Sequence, residues 1–231
     1  MSSTELRTEE TSAAAGQRRR LRKRPSSALG SIVELIVIVG VALGLALGIQ
    51  AFLVKPYKIP TGSMEPTLAV GQRVLVNRIG MDLGEPHVGQ IVVFHPPANA
   101  EEGECGPGTH QVTAGGAACD QTDPQQSSVN FIKRVVAGPG DEIYIREGHV
   151  FRRAAGTSTF VREQDHYIKP CGSSSECNFP TPITIPAGRW FMMGDNRGDS
   201  DDSRFWGPVP TGWIIGQAIL TYWPPDRIGI L

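Results

Sequence analysis

The sequence predicts a mainly β protein: one N-terminal transmembrane helix followed by an all-β domain outside the cytoplasm. Three observations predict it. A basic run precedes a 23-residue apolar segment at 32–54. The remainder holds many short, β-branched apolar runs separated by Gly and Pro. Beyond residue 54 no run of ten or more residues has helical periodicity.

The elements follow in chain order. Residues 1–30 are rich in Ser, Thr, Ala and Arg, hold seven Lys/Arg against three Asp/Glu, and predict a disordered, basic cytoplasmic tail. The formal net charge of the whole chain is −1, so the remainder carries −5. Such a split points to two environments. The segment 32–54 carries only Glu34 and Gln50 as strongly polar residues and sets an anchor at 31–54. As a helix it spans roughly 34 Å, enough for a hydrocarbon core of about 30 Å. A helix apolar on every face is foreign to a soluble core. Arg18-Arg19-Arg20-Leu21-Arg22-Lys23-Arg24 just before it orients the N-terminus to the cytoplasm and residues 55–231 to the outside. The segment is too long for the apolar part of a cleaved leader, and no A-x-A site follows it.

Strands are predicted around 73–76, 91–94, 131–136, 143–145, 183–185, 190–193 and 213–223. Residues 97–129 and 156–180 are polar, rich in small residues, and read as insertions. Four cysteines, Cys105, Cys119, Cys171 and Cys177, lie beyond the anchor without a C-x-x-C pair. An exported location permits disulfides. Three connectivities are open; the most local joins 105 to 119 and 171 to 177, and a Cys171–Cys177 bond is expected.

Candidate chemistry lies in three segments. Ile59-Pro60-Thr61-Gly62-Ser63-Met64-Glu65-Pro66-Thr67-Leu68 cannot form regular structure, so Ser63 sits on a constrained turn. Such a turn can present a hydroxyl and aim backbone N–H groups at an oxyanion, although a serine in a turn is more often a turn former. In Phe131-Ile132-Lys133-Arg134-Val135-Val136 a strand places Phe131, Lys133 and Val135 on one face. Burial there lowers a lysine pKa and makes a general base near neutral pH; the plainer alternative is an edge-strand lysine that discourages aggregation. The run 194–204 is too polar for a strand and fails the calcium-loop pattern. Asp201 and Asp202 with Arg204 can form a charged network there, or the run is a solvated turn. No G-x-S-x-G or H-E-x-x-H motif occurs, and His87, His95, His110, His149 and His166 show no paired spacing.

Taken together these segments resemble the bacterial type I signal peptidases. The serine box is Pro60-Thr61-Gly62-Ser63-Met64-Glu65-Pro66-Thr67-Leu68, and the lysine box runs from Phe131 to Asp141. Gly194-Asp195-Asn196-Arg197 with Ser200 and Asp202-Ser203-Arg204 forms a further box, and Gly89-Gln90-Ile91-Val92-Val93-Phe94 another. The resemblance covers about 32–231 apart from the insertions. Thr61 replaces the commoner serine and keeps its hydroxyl; Gln90 replaces the usual aspartate.

The resemblance implies a membrane-bound serine endopeptidase that removes signal peptides from exported preproteins after A-x-A-like sites. It makes Ser63 the nucleophile and Lys133 the general base. The Ser63 N–H and the Thr61 hydroxyl form the oxyanion hole. Ser200 hydrogen-bonds and orients the lysine, Asp202 and Arg204 brace the site, and Ile59, Met64, Leu68, Phe131 and Ile132 line shallow pockets. It implies no metal or organic cofactor. Its partners are signal peptides, membrane lipid and a neighbouring secretion translocon, with no nucleic acid. The location is the plasma membrane, single-pass, with the C-terminal Trp223-Pro224-Pro225 and Ile228-Gly229-Ile230-Leu231 touching the bilayer. Two other readings stand beside it: a soluble Ser/Lys peptidase such as a self-cleaving repressor, disfavoured by the anchor, and an inactive tethered β domain that binds a partner.

Overall fold

The computed structural model describes residues 28–231, except 53, 79–83, 108–109, 113–114 and 172–174. The predicted basic tail lies outside the described residues except for its last three. The chain divides between Gly44 and Leu45 into two units. Helix α1 covers Ala28–Phe52, and its 30–48 portion is apolar enough to cross a membrane. It starts and ends earlier than the predicted anchor. Val54 instead opens strand β1, Val54–Lys58. Pro56 explains this, because proline holds its predecessor extended and cannot continue a helix interior.

The second unit is built on antiparallel sheets. The largest uses β1, β2 (Arg73–Asn77), β3 (Ile91–Phe94), β6 (Phe131–Ala137), β11 (Arg189–Met193), β12 (Val209–Pro210), β13 (Ile214–Trp223) and β14 (Gly229–Ile230). Its order is β1-β2-β13-β3-β6-β11-β12, with β14 also on β13. A second sheet has the order β10-β7-β8-β9, with β7 at Glu142–Arg146, β8 at His149–Arg153, β9 at Val161–Arg162 and β10 at Phe179–Thr184. A small hairpin joins β4 (Glu104–Cys105) to β5 (His110–Gln111). Each predicted strand is found. Strand β8 is an addition: Glu147 and Gly148 take φ of 52° and 79°, the left-handed pair that closes a two-residue hairpin.

The central strands are buried on both faces, which accounts for their continuous apolar runs. Along β3, Val92 and Phe94 pack with Trp190, Met192 and Trp206, while Ile91 and Val93 pack with Ile59, Met64 and Leu68. Along β11, Phe191 and Met193 turn instead toward Ile143, Ile145 and Phe179 of the smaller sheet. The large sheet is thus wedged between apolar clusters, and β6 carries Lys133 through its middle opposite Val92. Both insertions are ordered where described. Each is closed by a disulfide, Cys105–Cys119 and Cys171–Cys177, the local pairing among the three that were open.

Candidate active site

The loop before β2 carries Ser63 at the centre of a single 3-10 turn, Gly62–Met64. Buried Met64 and Leu68 pin the loop to the core. Its ends are closed by Ile59 N–H donating to Gln72 O at 2.8 Å and Gly71 N–H donating to Ile59 O at 2.8 Å. Ser63 is 9% exposed, and its Oγ lies 3.4 Å from Thr61 Oγ1.

The segment after β11 holds this turn in place. Asn196 donates from its backbone N–H to Ser63 O at 3.1 Å and from Nδ2 to Gly62 O at 3.1 Å. Asp195 receives both Nε (2.9 Å) and Nη2 (2.7 Å) of Arg134, the neighbour of Lys133, and Thr67 Oγ1 of the serine loop at 2.5 Å. One buried carboxylate therefore ties the lysine strand to the serine loop. Gly194 is required between them. A Cβ there would collide with Ser200 Oγ and the Ser63 carbonyl oxygen. This also places Ser200 and Ser63 side by side.

Behind the site, Asp202 and Arg204 form a buried bidentate pair at 2.7 and 2.9 Å. Asp202 caps the short helix α2, Ser203–Trp206, and accepts from Gly194 N–H at 3.0 Å. Arg204 donates to Ser200 O at 2.9 Å and to Glu176 O at 3.1 Å, and its own carbonyl accepts from Cys119 N–H at 2.9 Å. Both disulfide-closed insertions are thereby fastened to the same arginine. Burial alone would raise the Asp202 carboxyl, but the Arg204 guanidinium together with Lys133 and the Gly194 N–H outweighs it and holds the pKa below the ordinary value.

Ser63, Lys133, Thr61, Ser200, Phe131 and Ile132 line one cleft of about 990 Å³. Lys133 is 4% exposed. Burial, aided by Arg204, lowers its pKa from 10.5 to about 8 against the opposing pull of Asp202, Asp201 and Asp195. Asp201, also on the cleft, is pushed up to about 6 by desolvation and by Asp202. Two expectations are corrected. Ser200 Oγ is buried and makes no hydrogen bond, so the expected bond to the lysine is not formed in this conformation. Ile59, Met64 and Leu68 are 2%, 0% and 0% exposed and belong to a core cluster, not to the cleft lining. Their apolar character serves packing under the serine turn.

Sequence reasoning gave no separate role to Thr67, Arg134, Asp195 and Asn196. Most of the run 194–204 is a buried hydrogen-bonding network: Gly194 through Arg197, Ser200 and Asp202 through Arg204 are buried, while Gly198, Asp199 and Asp201 are exposed. Polar composition alone does not separate the two cases. Among the described residues no group of three or more His, Cys, Asp or Glu side chains is placed to hold a metal ion.

A buried lysine whose pKa is lowered to about 8, on the same cleft as a turn-borne hydroxyl, is the equipment of acyl transfer. Residues 32–223 match the family described as signal peptidase, peptidase S26. Among curated relatives, the chain is 34% identical over 200 residues to a probable signal peptidase I of Synechocystis, covering 87% of each. It is 33% identical over 180 residues to thylakoidal processing peptidase 1 of Arabidopsis thaliana, covering 78% of this chain and 45% of that longer relative. It is 29% identical to the signal peptidase I of Mycobacterium tuberculosis, covering 86% of this chain and 74% of that one.

Proposed function

The chain belongs to the signal peptidase family, peptidase S26, and we propose that it cleaves signal peptides from exported preproteins with Ser63 as nucleophile and Lys133 as general base. The observation that carries this reading is the placement of both side chains on one cleft, with the lysine pKa lowered to about 8. The neutral amine takes the Ser63 proton as Oγ attacks the scissile carbonyl. The Ser63 N–H and Thr61 hydroxyl receive the charge that develops on the carbonyl oxygen. The protonated amine then gives its proton to the leaving mature N-terminus. Water, deprotonated by the same lysine, releases the signal peptide from the serine ester.

Phe131 and Ile132 favour small, apolar side chains before the cut. The preferred site is A-x-A-like. Helix α1 anchors the enzyme in the plasma membrane with the N-terminus cytoplasmic and residues 55–231 outside, facing preproteins as they leave the translocon. Tethering raises the effective concentration of enzyme at the membrane-held substrate. The exposed C-terminal side chains Trp223, Ile228 and Ile230 support contact of that end with lipid.

The test is cleavage of a purified preprotein by the full chain in detergent, with the product's N-terminus sequenced. The reading expects a single cut after the A-x-A site and loss of that cut when the residue just before it is changed to Phe. Cleavage at scattered sites, or indifference to the Phe substitution, would remove the signal peptidase assignment.

A further inference from the structure

We propose that the insertions make the cleft a charge filter, selecting for Lys or Arg and against Asp or Glu among the first few residues after the scissile bond. The inference rests on the reading of this cleft as the peptidase site. The carriers are Glu101 and Glu102 on the first insertion, Glu176 on the second, and Asp199 and Asp201 beside Ser200.

Three observations support it. The carboxylates line the same cleft as Ser63, whose only lining cation among the described residues is Lys133. A general base must be neutral to act, so it cannot balance them. Next, none of Glu101, Glu102, Asp199 and Asp201 enters an ion pair with any described residue, so their field is directed at whatever fills the cleft. Third, the rest of the cleft wall is also polar: Thr61, Asn130, Ser175 and Ser200 line it beside the carboxylates.

The acidic wall is also held in place. Asn99 Nδ2 donates to Glu104 O at 3.0 Å and Gly106 O at 2.9 Å, closing the turn that carries Glu101 and Glu102. The Cys105–Cys119 bond and Cys119 N–H to Arg204 O at 2.9 Å fix that insertion beneath the site. Glu176 is fixed by the adjacent Cys177 and by the Arg204 bond to its carbonyl.

The side of the substrate follows from chemistry. The residues before the cut are small and neutral, and the stretch before them is apolar, so they offer no charge to read. Only the polar start of the mature chain does.

The experiment uses the full-length enzyme in detergent with three preproteins. They differ only at the second and third residues after the cut: Lys-Lys, Ser-Ser or Glu-Glu. The expected order of kcat/KM is Lys-Lys, then Ser-Ser, then Glu-Glu, with about tenfold between the extremes in about 50 mM salt and clear weakening in about 0.5 M salt. The double variant Glu101→Lys, Glu102→Lys reverses or flattens the order, read as the ratio of Lys-Lys to Glu-Glu kcat/KM within that variant. Equal rates for the three substrates, or an order that the double variant leaves unchanged, overturns the filter. Failure of the wild type to cut any of them, Ser-Ser included, overturns the peptidase reading and the filter with it.

Discussion

At the scale of single residues, the balance around Lys133 decides whether it serves as a base. Its charge is disfavoured by burial and by Arg204, and favoured by Asp202, Asp201 and Asp195. Burial wins, so the amine loses its proton as pH rises through about 8. The base form is then present above that value and absent well below it. We predict that kcat/KM rises with pH along a limb centred near that pKa. Asp201→Asn removes a neighbouring negative charge, so it should move the limb to lower pH. A limb that stays in place under this substitution would show that Asp201 does not sense the lysine. The glycine at 194 is a second residue-scale test. An added methyl would meet Ser200 Oγ and the Ser63 carbonyl. Gly194→Ala should therefore lower kcat by at least about tenfold through displacement of the serine turn by a fraction of an ångström. Circular dichroism would confirm that the variant folds; unchanged kcat would contradict the packing.

At the scale of elements, the segment 194–204 holds the site together. Asp195 and Asn196 grip the serine turn and the lysine strand, and the Asp202–Arg204 pair fastens the segment to both insertions. Both members of that pair are almost wholly buried. Asp202→Ala leaves a guanidinium without its carboxylate and should cost about 3–5 kcal/mol, read from the shift of the denaturation midpoint. The sign with pH follows from the lowered Asp202 pKa: its contribution is full at neutral pH and is lost as pH falls through the folded value, below the unfolded value of about 3.9. A loss under about 1 kcal/mol would place the pair at the surface in solution.

Much of this level is legible in sequence. Strands β2, β3, β6, β7, β10, β11 and β13 announce themselves by short apolar runs, and Ser63 and Lys133 by their motifs. Three things are not legible. Val54 reads as the end of an apolar span although Pro56 commits it to β1. Ile59, Met64 and Leu68 read as pocket residues because an apolar side chain near a nucleophile looks the same whether it faces substrate or core. The polarity of 194–204 leaves a charged network and a solvated turn equally open, because composition does not reveal which partner satisfies a hydrogen bond.

At the scale of the whole molecule, the chain joins an apolar helix long enough to cross a membrane to a β unit with a carboxylate-lined cleft. The exposed apolar groups Trp223, Ile228 and Ile230 lie at the C-terminus. The paired substitution Ile228→Asp, Ile230→Asp should reduce cleavage of a preprotein embedded in vesicles severalfold while sparing a soluble peptide with the same cleavage site. Equal effects on both substrates would assign those residues to folding instead. The central claim is that Ser63 and Lys133 act together in one hydrolytic site. The most direct measurement of it compares wild type, Ser63→Ala and Lys133→Ala in cleaving one purified preprotein in detergent, with each variant shown to be folded. The account predicts mature product from the wild type and loss of at least about 10³-fold in both variants, since the members of a catalytic unit fail together. Cleavage by either variant at a rate near that of the wild type would contradict it.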